Sequence, residues 1–159
     1  MPNALPTLDG ISAYPPALAA AILSMGRFTL SLAVDFTKAD GAVLFTVPGL
    51  VGNGRLAIER AFWEPKVSFA GGASSAIGLS SSNAAYNTKG DLLGGAGGDV
   101  AAGLTFAAPF FKGTIGAKAA GQGVIVLQTG DQILFNQIVS AFTSGSGFVH
   151  LPCSVIPPL

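Results

Sequence analysis

Between Arg27 and Phe36 the chain reads RFTLSLAVDF, with Phe28, Leu30, Leu32, Val34 and Phe36 alternating against Thr29, Ser31, Ala33 and Asp35. Successive side chains of an extended chain point to opposite faces, so a period of two describes a β-strand with one face buried. A helix would scatter the same five apolar residues around its circumference. Such a strand constrains the rest of the chain. Its backbone N–H and C=O groups need neighbouring strands, and its apolar face needs a second layer to cover it.

Further segments supply those neighbours. Asp40-Gly41 marks a turn, and AVLFTV at 42–47 makes a second strand ending at Pro48. GLVGNG at 49–54 is a turn-rich connection. RLAIERAFWE, from residue 55, can be drawn as a helix, but Leu56, Ile58, Arg60 and Phe62 alternate and Pro65 would break a helix. One long strand over 55–69, bent near Pro65, is expected. Later strands are expected at 101–106, 113–118, 124–128, 132–135 and 147–156, and residues 136–143 fit either a short helix or a strand.

Twenty-two glycines, short strands and frequent turn signals place the chain in the all-β class. The expected architecture is a jelly-roll-like β-sandwich over residues 27–159. Residues 1–26 read as an extended N-terminal arm: 1–16 hold four prolines and no periodic pattern. A short helix over Ala17–Met25 would start at Pro15-Pro16 and stop at Gly26.

Charge is scarce. Only 10% of the residues are charged, against about 25% in an ordinary soluble domain. A compact chain of this size would expose one charged side chain per roughly 460 Å² of surface. Surfaces of that kind carry apolar patches, and such patches mark interfaces. An assembling protein is expected, not a free monomer. The eight basic and eight acidic residues are scattered, which excludes the clustered basic patch that nucleic acid requires. ALAAAILSM at 17–25 is about half the length a membrane-spanning helix needs. No Lys or Arg precedes Arg27, so a basic secretion leader is not expected. Cys153 is the one cysteine, which excludes an intrachain disulfide; its apolar neighbours predict burial.

Residues 70–99 are mostly Gly, Ala, Ser and Asn. Disordered segments are rich in charge and proline, whereas this one has only Lys89, Asp91 and Asp99 charged and includes Ile77, Leu79, Tyr86, Leu92 and Leu93. A long Gly/Ser/Ala-rich loop, structured and lying on another surface, is expected.

No constellation announces a reaction. His150 is the one histidine, and Cys153, three positions on, would face the other side of a strand. Glu59 and Glu64, five apart, also fall on opposite faces. Asp131 follows Gly130 and reads as turn chemistry. Asp91 and Asp99 bracket LLGGAGG, too few oxygen ligands for a hard cation. GGAGGD at 94–99 lacks the Gly-Lys-Ser/Thr ending of a phosphate loop. Neither catalytic residue, metal nor cofactor is expected.

The run FWEPKVSFAGGASSAIGLSSSNAAYNTKGDLLGG, followed by GTIGAK, TGDQILF and AFTSGSGFVHLP, resembles small virion structural proteins of tailed bacteriophages. It covers roughly residues 55–156. The resemblance implies a jelly-roll-like fold and a place in the particle. Among virion roles the expectation is a head decoration or cement protein. It would be a homotrimer on the outer surface of the capsid, bound to the phage major capsid protein. The alternative is a tail, baseplate or fibre component that binds a host glycan. Expected interface residues are Leu5, Tyr14, Leu18 and Ile22 in the arm, Tyr86 in the bland stretch, and the pair Phe110-Phe111 after Pro109.

Overall fold

A computed structural model describes residues 7–9, 26–71, 76–93, 100–101, 124–138 and 140–158. Its strands are β1 (Thr7–Asp9), β2 (Arg27–Asp35), β3 (Val43–Thr46), β4 (Arg55–Ile58), β5 (Phe62–Gly71), β6 (Ala76–Ser81), β7 (Val100–Ala101), β8 (Ile125–Leu127), β9 (Gln132–Ile138) and β10 (Phe142–Ile156). Short 3-10 turns occupy Val51–Asn53 and Ala84–Tyr86. The alternating segment is β2, and Phe28, Leu30, Leu32 and Val34 are buried along it.

The strands form two sheets. One runs β1-β2-β10-β4-β8 with β5 also on β10, and the other runs β3-β9-β6-β7. The pairing is nested. β2 pairs with β10, β3 with β9, β4 with β8 and β6 with β7, all antiparallel, as in a ribbon doubled back at its midpoint. Two further antiparallel pairs, β10 with β4 and β9 with β6, join the nested pairs within each sheet. The result is a β-sandwich. Its core draws Phe28, Leu30, Val149 and Leu151 from the larger sheet and Phe45, Leu79, Ile133 and Phe135 from the smaller.

β10 is the spine of the larger sheet. β2 lies along one edge from Ser146 to Ser154; β5 and then β4 lie along the other. The strand expected over 55–69 is therefore two strands in line, interrupted at 59–61. Pro152 of β10 supplies the reason. Its carbonyl accepts the Glu59 N–H at 2.9 Å, but it has no N–H to return, so the ladder breaks there. The bend near Pro65 is present as a register shift where Pro65 faces Gly147.

Within the bland stretch, residues 76–81 form β6 in the smaller sheet, where the expectation was a loop. All six of its residues are buried. Blandness here is a packing requirement: a Cβ on Gly78 would lie 2.7 Å from Ile138 Cδ1 and 3.2 Å from the Gly90 nitrogen. Beyond β6, Asn83 caps the turn at 84–86 through its side chain, and Leu79 and Leu93 form an isolated antiparallel bridge. Of the segment 136–143, residues 136–138 end β9 and 142–143 begin β10, with no helix among its described residues. Of the strand expected at 101–106 only Ala101, in β7, is among the described residues, and that expected at 113–118 lies outside them.

Three rings occupy the end of the core where β5 and β10 meet. Trp63 and Phe69 are edge to face at 5.3 Å, and Phe69 and Phe142 at 4.9 Å. The chain passes these rings at glycines. Gly145 has φ 125°, and a Cβ there or at Gly147 would collide with Phe69 or with Trp63 and the Glu64 carbonyl. Gly147→Ala should therefore destabilise the protein by about 1–3 kcal/mol, the usual cost of overpacking. Urea denaturation checks this; an unchanged midpoint would contradict the packing described.

Candidate functional site

The polar cluster richest in chemistry lies on the face of the larger sheet that points away from the core. Along β10, Val149, Leu151 and Cys153 are buried in the core, which leaves Phe148, His150 and Pro152 on the opposite face. Antiparallel register sets Ser31 of β2 directly beside His150, and Glu64 of β5 beside Phe148. Three strands thereby bring together residues separated in sequence by 119 and 86 positions.

His150 sits between two partners. Its Nδ1 is 2.8 Å from Ser31 Oγ and its Nε2 is 2.8 Å from Glu64 Oε2. Hydrogen bonds from Lys66, then from His150, hold the Glu64 carboxyl below its ordinary pKa. An ionised carboxylate only accepts, so with a neutral imidazole Nε2 carries the proton and donates to Glu64. Nδ1 is then an acceptor, and the Ser31 hydroxyl donates to it. Lys66 also pairs with Glu64 and stands 5.9 Å over the Phe148 ring, which stacks on His150 at 6.1 Å.

Serine, histidine and an acid in hydrogen-bonded series are the components of an acyl-transfer relay. Two features of the setting bear on that chemistry. Ser31 is only 4% exposed, and it lies within the regular ladder, between Asp9 of β1 and His150 of β10. The array as built acts as a clasp, tying β2, β10 and β5 together across the outer face.

The other singled-out residues do not join it. Glu59 pairs with Arg27 at 3.3 Å. The Asp131 carboxylate accepts from the Gln128 backbone and the Asn83 side chain, each at 2.8 Å, and so fixes its turn. Asp91, buried, accepts from the Thr88 N–H at 2.8 Å; Asp99 lies outside the described residues. Cys153 is 1% exposed, as its neighbours predict, and burial pushes its thiol pKa up. Among the described residues no group of three His, Cys, Asp or Glu side chains could hold a metal ion. None of their helices is long and apolar enough to cross a membrane.

Of the expected interface residues, Tyr86 is packed in the core cluster at 7% exposure, where the capped turn at 84–86 carries it. Leu5, Tyr14, Leu18, Ile22, Phe110 and Phe111 lie outside the described residues. Ser31 and Glu64 were missed as partners of His150. Each is an ordinary polar residue of a strand, and the spacing between them becomes meaningful only once the register of three strands is known. Compared with known proteins, the chain matches no family model, no characterised sequence and no solved structure.

Removing the ring in His150→Ala strands the buried Ser31 hydroxyl and should cost about 1–3 kcal/mol. An unchanged unfolding free energy would count against the clasp. The acid side has a pH signature. Because the Glu64 pKa is lowered in the fold, its contribution is present above the ordinary carboxylate range and is lost as pH falls through the folded value. The wild-type advantage over Glu64→Gln should be full at neutral pH and shrink on acidification below the ordinary value of 4.5. Denaturation curves across that range measure it; a pH-independent difference would contradict the assignment.

Proposed function

We infer that this chain is a non-enzymatic structural protein of a virus particle, a decoration or cement protein that binds the assembled head lattice from outside. The reading is carried by the nested strand order. A ribbon paired β2 to β10, β3 to β9, β4 to β8 and β6 to β7 and rolled into two sheets fits the plan of a jelly roll and supports that reading of the sandwich. Jelly rolls build viral capsid and lectin domains. Scarcity of charge favours the first of those two uses. A glycan site calls for free carboxylates, yet six of the eight acidic side chains are committed within the fold. Asp35 takes Thr37, Asp40 takes Lys89, Glu59 takes Arg27 and Glu64 takes His150 and Lys66; Asp91 and Asp131 hold turns.

The large apolar side chains left exposed among the described residues, Phe36, Val43, Val67 and Val124, fit burial against other subunits better than contact with a sugar. A protein that binds only the assembled lattice stabilises it by mass action. The partners on this reading are the phage major capsid protein and further copies of the chain, as a homotrimer. Its location would be the outer surface of the virion.

Quantitative mass spectrometry of purified virions, with an image reconstruction, tests the proposal. The expected result is a copy number in fixed proportion to the capsid subunits and density on the head shell. A few copies at the tail would overturn it in favour of a glycan-binding tail or fibre component.

A further inference from the structure

Among the described strands β1 is the one that pairs in parallel. It pairs with β2 in parallel, Thr7 with Thr29, Leu8 with Leu30 and Asp9 with Ser31. Every other strand pairing in the two sheets is antiparallel. The other described strands therefore pair without β1, and among the described residues nothing else pairs with that edge of β2. Open edges accept added strands through backbone hydrogen bonds alone, and they are the usual route by which sheets of different chains join.

The covalent chain does not dictate whose Thr7–Asp9 fills that edge. Residues 10–26 separate it from β2, a stretch whose extended limit is roughly 60 Å. The radius of gyration of a compact chain of this length is about 15 Å. That contour is enough to reach the same edge on a neighbouring copy. A three-residue ladder is a weak hold by itself. Exchanged reciprocally, it anchors each chain twice, once as donor and once as acceptor, without any new contact chemistry.

We propose that in the assembled protein the edge of β2 is filled by Thr7–Asp9 of a second copy, so that copies are linked by exchanged strands. The proposal rests on the reading of the chain as an assembling protein and deepens it by naming the linkage. No side chain of β1 need be specific for this; the recognition is between backbones.

Cysteine pairs at the register positions test it directly. Adjacent strands lie about 4.8 Å apart, within the Cα range of roughly 4.4–6.8 Å that a disulfide spans. One variant carries Thr7→Cys and a second carries Thr29→Cys; the two are co-expressed, oxidised mildly and separated under denaturing, non-reducing conditions. Natural Cys153 is buried at 1% exposure, and the wild-type chain under the same oxidant controls for it. The expected product is a covalent heterodimer joined through positions 7 and 29, confirmed by the mass of the linked peptide. The double variant in one chain should give a covalently closed oligomer of the size of the assembly, a trimer on the reading above.

If the double variant closes only within one chain and the mixture yields no heterodimer, exchange is overturned. Absence of both products overturns the seating of β1 on β2 and the exchange with it. Binding of the wild-type chain to empty capsids, measured separately by co-sedimentation, keeps the two readings apart. Heterodimer without capsid binding sinks only the virion role, and capsid binding without heterodimer sinks only the exchange.

Discussion

Everything in the larger sheet depends on β10 having both edges paired. Phe142–Ile156 is the longest strand described, and β2, β5 and β4 all take their register from it. A strand held on both sides must keep its backbone groups in the ladder. Its local irregularities consequently propagate to its neighbours. Pro152 interrupts the line from β4 to β5, and the register shifts from Phe142 to Gly147 bend β5. The same strand supplies the glycines that let Trp63 and Phe69 close against the sheet, so core packing and strand pairing are set by one segment.

The outer clasp follows from that arrangement. With β2 and β5 on opposite edges of β10, a side chain at the middle of β10 can reach both, and His150 does so with one ring nitrogen on each side. Imidazole is suited to the place because its neutral form offers one donor and one acceptor, matching a carboxylate and a hydroxyl. The geometry resembles a catalytic relay in composition, but Ser31 is buried within its ladder. The structural proposal assigns the array to holding the sheet, and assembly to the charge-poor surface and the strand added at the edge of β2.

Much of the sandwich was legible in the sequence wherever one face of a strand is buried and the other is not. β2 shows this alternation in its sequence, interrupted in the fold only by the buried Ser31, and strands were also expected within β9 and the latter part of β10. β6 was not legible, because it is buried on both faces and built from Ala, Ile, Gly, Leu and Ser. Without an exposed face there is no period to read, and small residues carry little strand signal. β1 escaped for a different reason: its pairing runs through the backbone to a partner more than twenty residues away. The clasp was invisible because Ser31, Glu64 and His150 converge only through register. A local motif such as Asn83 capping Ala84–Tyr86 lies within a few residues, whereas this site is spread over three strands.

Native-state amide hydrogen exchange, resolved by residue, tests the central role of β10 most directly. Amides of Phe148, Val149, His150 and Cys153, flanked by strands on both sides, should exchange only through global unfolding, while β1 opens well below that limit. If β10 exchanged by local opening while β6 and β9 stayed protected, the larger sheet would not depend on its longest strand, and the account given of the fold would be wrong.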